Sequence, residues 1–543
     1  MTIPALLSLR LAQCFRRSLV ALLLLALGLH NALPAWAQAG VATPYRPLPA
    51  LGDAASDDLT VGAERKLGDR IMQEIRRDPD VIDDPLLLDY VGGLWQALVQ
   101  AARVRGEVSA DLDSYFAWEP FLVRDRSINA FALPGGFIGV HLGLVAMTTT
   151  RDELASVLAH EMSHVTQRHI ARSIAPQRRQ SILGVAAMIL GVMAAARSNR
   201  PDGANAMIVG GQAAMVQGQL NFSRDMEREA DRVGFSVLGD AGFDPVGMVG
   251  MFERLQQGSR LTDSGQFPYL RSHPLTSERI GEARSRLGVR GAGTSIDAPG
   301  SGGDAARWLH AAMQGRARAL MDPRTESLQR LAAMPLGTQG PPALNNAYAT
   351  TLAALRLKDW RSADAALARA QMLAGSQPAA SRAVDVLQAE LLLEKGRAAE
   401  ASAVVAERLG DGSRAARLLA ARAALALPAD AGAVPALRAQ AEALQSWVAT
   451  RGGDASAWQL LGQLQDRLGQ RLAALRAQAE AQLALGDLGG AIDRLRAGQR
   501  LARTDSGESI DALVIEARLK VLEQRRRAEM RDERGAGGDG PRG

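Results

Sequence analysis

Cysteine occurs once in the 543 residues, at Cys14, so neither a disulfide framework nor a thiolate-held metal can organise this chain. Histidine is also scarce, at seven, which leaves few imidazoles and the carboxylates as candidate metal ligands. No strict period runs through the 54 glycines and 23 prolines, which excludes a collagen-like or low-complexity chain. Long apolar runs are missing too. The longest stretches, at 19–29 and 181–196, fall short of the ~20 residues a membrane span needs. What is present, 47% hydrophobic and 22% charged residues, is the composition of a folded chain of more than one domain.

Residues 1–37 read as a cleaved export signal. Arg10, Arg16 and Arg17 precede the apolar stretch LVALLLLALGL, and Ala35-Trp36-Ala37 provides a small-x-small exit. Cleavage near Ala37 removes three arginines and takes the net charge from +5 to +2, so the basic balance no longer argues for a nucleic-acid partner. Residues 38–56, with Pro44, Pro47 and Pro49, read as an exposed leader. A mixed domain is expected over 57–287, with a strand-rich stretch around 115–145. Residues 288–303 (GVRGAGTSIDAPGSGG) have linker chemistry.

Beyond them the composition changes. No phenylalanine follows Phe267, and Ala, Leu, Arg and Gln dominate. Small and apolar residues recur in helical pairs, as in Trp458-x-x-Leu461-Gly462 followed by Ala474-Leu475 and Ala481, with a break at Gly486-Asp487. This pattern predicts tetratricopeptide-like repeats over 304–524, which stack and offer a surface to a partner protein. The charged, then Gly-rich residues 525–543 read as a disordered tail. The fold class expected is mainly α with a small β-sheet, followed by an α-helical solenoid.

The chemistry lies in the first half. Residues 152–170 carry apolar side chains at helical spacing around His160-Glu161-Met162-Ser163-His164. Two histidines four apart share one face and can converge on one metal ion, while Glu161, about 100° round the helix, can act as a general base. Neutral imidazoles suit Zn²⁺, which takes three protein ligands at a catalytic site. His169 is expected to point elsewhere on the same helix. The third ligand is sought in SRDMEREADRVGFSVLG (223–239), where Glu227 and Asp231 share a face. One carboxylate can bind metal and the other orient a histidine, and Glu229, on another face, is the fallback ligand. The apolar stretches at 181–196 and 206–220 suggest a lid-like helical pair, or else a membrane-contacting hairpin.

His160–His164 together with Glu227-Arg228-Glu229-Ala230-Asp231 resembles the paired HExxH and ExxxD signature of the M48 metallopeptidases. Ser127-Ile128-Asn129-Ala130-Phe131 with Pro134-Gly135-Gly136 is similar to that family's edge strand and loop. Ser272-His273-Pro274 with Arg279 is similar to its downstream His/Arg pair. The resemblance implies a zincin-like metallopeptidase domain over 57–287 that binds one Zn²⁺ through His160, His164 and Glu227, with Asp231 supporting a ligand histidine. Glu161 would be the general base, and His273 or Arg279 would stabilise the oxyanion. His273 could instead serve as a fourth ligand that keeps the enzyme latent. Asn129, Ala130, Phe131, Gly135 and Gly136 would bind extended substrate. With an export signal in front and repeats behind, the chain resembles the family's periplasmic branch that assists outer-membrane β-barrel assembly. That implies unfolded or stalled outer-membrane proteins as substrates and the assembly machinery as partner of the repeats. A scaffold or chaperone with latent proteolysis, or a membrane-embedded peptidase, are the competing expectations.

Overall fold

The computed structural model describes residues 59–173, 223–261, 267–291, 303–410, 412–504 and 510–537. The expected signal, leader and apolar pair at 181–220 lie outside the described residues. In chain order the first half comprises α1 (Val61–Ile75), β1 (Val81–Ile82), α2 (Pro85–Arg105), α3 (Ala110–Tyr115), β2 (Glu119–Val123), β3 (Ala130–Leu133) and β4 (Phe137–His141). It continues with α4 (Leu142–Met147), α5 (Arg151–Thr166), α6 (His169–Ser173), α7 (Arg224–Asp240), α8 (Val246–Leu261), α9 (Tyr269–Ser272) and α10 (Ser277–Gly291).

The strands form one four-stranded sheet in the order β1-β2-β4-β3, with β2 and β4 parallel and both outer pairs antiparallel. β4 is buried along its whole length and β3 is an edge. Helix α5 starts where Thr150 accepts from the Glu153 N–H at 3.1 Å while Glu153 accepts from Thr149, a reciprocal arrangement that satisfies amides before the first turn. Every residue from Asp152 to Thr166 is buried, because α2, α7, α8 and β3 pack around this helix. Its apolar members Leu154, Leu158 and Met162 anchor the core, so the polar residues of the histidine motif are carried inside by their neighbours.

Twelve helices follow among the described residues: α11 (Gly303–Leu320), α12 (Thr325–Ala332), α13 (Gly340–Leu357), α14 (Trp360–Ala374), α15 (Pro378–Glu394), α16 (Ala398–Arg408), α17 (Arg414–Ala426), α18 (Val434–Thr450), α19 (Ala455–Arg467), α20 (Arg471–Ala484), α21 (Leu488–Thr504) and α22 (Ile510–Gly537). From α12 onward consecutive helices pack on one another. A Cβ on Gly315 would meet the Asn345 carbonyl at 2.6 Å, so α11 and α13 cross at backbone contact. The predicted break at Gly486-Asp487 falls between α20 and α21, with Gly486 at φ +79° and Asp487 accepting from the Gly490 N–H.

Two expectations are corrected. Residues 525–537 continue helix α22 rather than forming a frayed tail. Arg, Glu, Ala and Met there are strong helix formers, and Arg525 pairs with Glu529 one turn on. The composition change near 288–303 does not separate two cores either. One apolar cluster runs from Leu87 and Trp95 through Leu158 to Tyr348 and Leu391.

Ion pairs reinforce this junction. Arg316 of α11 is buried and grips Asp84, the N-cap of α2, at 2.7 Å and Glu390 of α15 at 2.7 Å. Arg414 of α17 holds the adjacent Asp83 at 2.6 Å. His310 lies 2.9 Å from the Thr148 carbonyl and 2.6 Å from the Tyr90 hydroxyl. Replacing Arg316 with Met leaves buried Asp84 and partly buried Glu390 without their cation, a loss of about 3–5 kcal/mol for a broken buried pair. Urea unfolding of that variant is expected to show a lower midpoint by this margin, and an unchanged midpoint would mean the pair contributes nothing at the junction.

Candidate metal centre

Helices α5 and α7 meet at Gly234, where an added Cβ would lie 3.1 Å from the Ala159 carbonyl and 3.2 Å from the His160 nitrogen. That close crossing brings the acidic face of α7 against the histidine face of α5. Ser223 caps α7 by accepting from the Met226 N–H, as its position predicts. His160, His164, Glu227 and His273 then form a buried group whose ligand-type atoms all lie within 4.8 Å of one another. His160 Nε2 lies 3.0 Å from His164 Nε2 and 3.5 Å from Glu227 Oε2. His164 Nε2 is 3.5 Å from Glu227 Oε1, and His273 Nδ1 is 2.9 Å from the same oxygen.

Asp231 lies behind His160, with Oδ1 2.9 Å from Nδ1. Arg279 is buried and holds both Asp231 oxygens, at 2.7 and 2.8 Å, and approaches Glu227 Oε2 at 2.9 Å. It also donates to the Pro274 carbonyl and lies over the Phe252 ring. All three guanidinium nitrogens are therefore engaged away from any substrate carbonyl. In this arrangement Arg279 holds the two carboxylates in place.

Burial disfavours charge on both motif histidines, yet their environments split them. Hydrogen bonds and charge from Asp231 and Glu227 lift His160 to about 9. His164, beside His160 and His273, is held well below its ordinary value. Burial opposes ionisation of Glu227 as well, but the neighbouring histidines hold its carboxyl far below the carboxylate range. Glu161 is fully buried, which raises its carboxyl. One of its oxygens accepts from the Ala132 N–H at 3.1 Å, while Oε1 is buried, accepts no hydrogen bond and lies 3.4 Å from His273 Nε2.

The donor set fits a metal ion. Two imidazole nitrogens 3.0 Å apart, a third imidazole and an ionised carboxylate converge on one buried space, and nitrogen with carboxylate donors suits zinc. The orphaned Glu161 oxygen faces the same space.

Edge strand β3 was expected to present Asn129, Ala130, Phe131, Gly135 and Gly136. Because the Ala132 N–H turns to Glu161, strand alternation leaves the backbone groups of Ala130 and Ala132 on the open side. Asn129 instead accepts from the His141 N–H, and Phe131 packs its ring over Gly139. Gly135 and Gly136 are buried, with their carbonyls accepting from Ala117 and Glu119, so they shape the turn.

Sequence reasoning missed one residue. His169 does not continue helix α5. The helix caps at Gln167, and Arg168 adopts φ +51°, held by Glu64 at 3.0 Å and by the Leu59 carbonyl. The chain reverses, and His169 Nδ1 comes within 2.8 Å of His164 Nδ1. The fallback ligand Glu229 lies away from the cluster, 2.9 Å from His169 Nε2 and 2.9 Å from Arg172. No helical pattern announces the reversal. The only sequence signal was a third histidine five residues after the motif.

Residues 97–287 match peptidase family M48. This stretch of the chain is similar to M48 peptidase domains. The chain is 35% identical over 271 residues to the beta-barrel assembly-enhancing protease of Escherichia coli strain K12, covering 50% of this chain and 52% of that protein. It is 36% identical over 272 residues to the protein of the same name from Yersinia pestis, covering 49% and 53%. To the mitochondrial metalloendopeptidase OMA1 of Schizosaccharomyces pombe it is 34% identical over 168 residues, covering 30% and 44%. The chain thus spans about half the length of the curated relatives it matches. The M48 match contains the whole cluster, from His160 to Arg279.

Metal analysis of Glu227→Ala beside the wild type checks the third ligand of the M48 site. Loss of bound zinc is expected, and full retention would exclude Glu227 from the ligand set.

Proposed function

We propose that the chain is a zinc-dependent endopeptidase of the periplasm that hydrolyses misfolded or stalled outer-membrane β-barrel proteins and assists their assembly. The observation that carries this reading is the four-ligand cluster with the unpartnered Glu161 oxygen beside it. His160, His164 and Glu227 would hold the ion. Zinc, when bound, supplies Lewis-acid polarisation and a nucleophile near neutral pH. Glu161, with one oxygen fixed by Ala132 and its carboxyl raised by burial, is placed to take a proton at Oε1 and return it to the leaving amine. Arg279 and Asp231 keep His160 and Glu227 in place, which leaves His273 as the side chain positioned to stabilise an oxyanion.

The backbone groups of Ala130 and the Ala132 carbonyl, on the open side of β3, would pair with an extended backbone, which selects unfolded chain over a particular sequence. The names of the bacterial relatives support outer-membrane proteins as the substrates, and the export signature of residues 1–37 supports the periplasm. The domain limits in this reading are 57–287 for the peptidase and 304–537 for the array, whose surface would dock on the β-barrel assembly machinery. Among the described residues no helix is long and apolar enough to cross a membrane.

One observation favours a second reading, a repeat scaffold or chaperone whose proteolysis is latent. His273 is inserted among the ligands, where it would act as a fourth donor and close the site. Two variants separate the readings. Glu161→Gln is expected to cut peptide hydrolysis on the order of a thousand-fold while zinc stays bound, and if it still restored outer-membrane integrity to a deletion strain the scaffold reading would stand instead. His273→Ala is expected to raise cleavage of an unfolded substrate if the latch operates, and a fall would assign His273 to the chemistry.

A further inference from the structure

Of the carboxylates on helix α7, three spaced two residues apart, Glu227, Glu229 and Asp231, end at the cluster, each by a different route. Glu227 enters it directly. Asp231 sits on His160 Nδ1. Glu229, about 200° round the helix from Glu227, faces away from the ligands, yet it is tied to His164 through the imidazole of His169.

With the His169 ring neutral, the hydrogens in this chain have one consistent arrangement. Glu229 Oε2 also receives Arg172 Nη1 at 2.9 Å, so it is an anionic acceptor. His169 Nε2, 2.9 Å away, is therefore the donor, and the neutral ring offers Nδ1 as acceptor. Two ring nitrogens 2.8 Å apart must be one donor and one acceptor, so the hydrogen between them belongs to His164 Nδ1. That leaves the lone pair of His164 on Nε2, the atom that faces the cluster.

We propose that Glu229 and His169 are positioning residues, a relay that fixes the tautomer and ring orientation of His164 and so presents its Nε2 to the metal. Asp231 does the same for His160 by direct contact, and His169 fills the gap that Glu229 cannot span. His169 is fully buried, so water does not compete for either of its nitrogens. The reversal at Arg168 is what places it there, which ties ligand geometry to Glu64 and the Leu59 carbonyl on the far side of the turn. This inference rests on the metal-site reading above.

The test uses the full chain loaded with Zn²⁺ or Co²⁺. Zinc affinity is measured by competition with a chromophoric chelator, and ligand geometry by the visible spectrum of the cobalt form. His169→Phe keeps the ring volume and removes both hydrogen bonds. A 10- to 100-fold rise in the zinc dissociation constant is expected, with a shifted cobalt spectrum. Glu229→Leu, altered at the partly exposed end of the relay, is expected to weaken zinc by a smaller factor, and Glu229→Gln, which keeps an acceptor oxygen, to recover most of it. The double variant His169→Phe/Glu229→Leu should lose little beyond His169→Phe, because both act through one chain. Wild-type affinity and spectrum in His169→Phe would overturn the relay, as would losses that simply add. If His169→Phe does not fold, the Glu229 pair decides: Leu and Gln indistinguishable from wild type would equally overturn it. Failure of the metal-site reading looks different, since the wild type itself would then bind no zinc.

Discussion

Helices α5 and α7 cross at a glycine, and the site depends on that contact. Only hydrogen at Gly234 allows the backbone of α7 to lie against Ala159 and His160. At this separation a carboxylate four residues from another can straddle an imidazole. One reaches the space in front of His160 and the other the nitrogen behind it. A side chain at Gly234 would separate the helices by a few tenths of an ångström or more, enough to loosen every distance in the group. The burial of α5 on all sides follows from the same packing, since α2, α8 and β3 close the remaining faces.

Placing so many ionisable groups in a dry interior is stable only because each is answered. Arg279 neutralises Asp231 and Glu227, and Arg172 with His169 answers Glu229. The three histidines that crowd the centre repel one another when protonated, and a metal dication resolves that conflict better than protons can. Glu161 keeps one oxygen without a hydrogen bond, a cost that a folded protein tolerates mainly where chemistry needs the lone pair. The same logic of buried charges recurs at the junction with the array. There Asp83 and Asp84 are adjacent in sequence but are held by arginines from different helices, so α11 and α17 are both tied to the start of α2.

Much of this was legible beforehand, and the reason is locality. The His160–His164 spacing, the acidic spacing of Glu227 and Asp231 and the turn at Gly486 all follow from helical geometry within a few residues. The helical character of residues 525–537 was also within reach of propensity, and the count of charges misled there. Other features could not be read locally. Arg279 looked like a free cation until its partners on α7 were in place. Gly135 and Gly136 looked like a substrate loop until α1 and the segment before β2 closed over them.

The sequence by itself determined which residue types could form the centre. With Cys14 in the expected signal and seven histidines in all, it confined a metal site to a two-histidine helix completed by another histidine or a carboxylate. Tertiary structure decided the partners. It brought His273 among the ligands and turned Arg279 inward. It also bent the chain at Arg168 so that His169 lies behind His164. That bend is stabilised by Glu64, about a hundred residues earlier, and no periodicity along one helix can encode a hydrogen bond across such a distance.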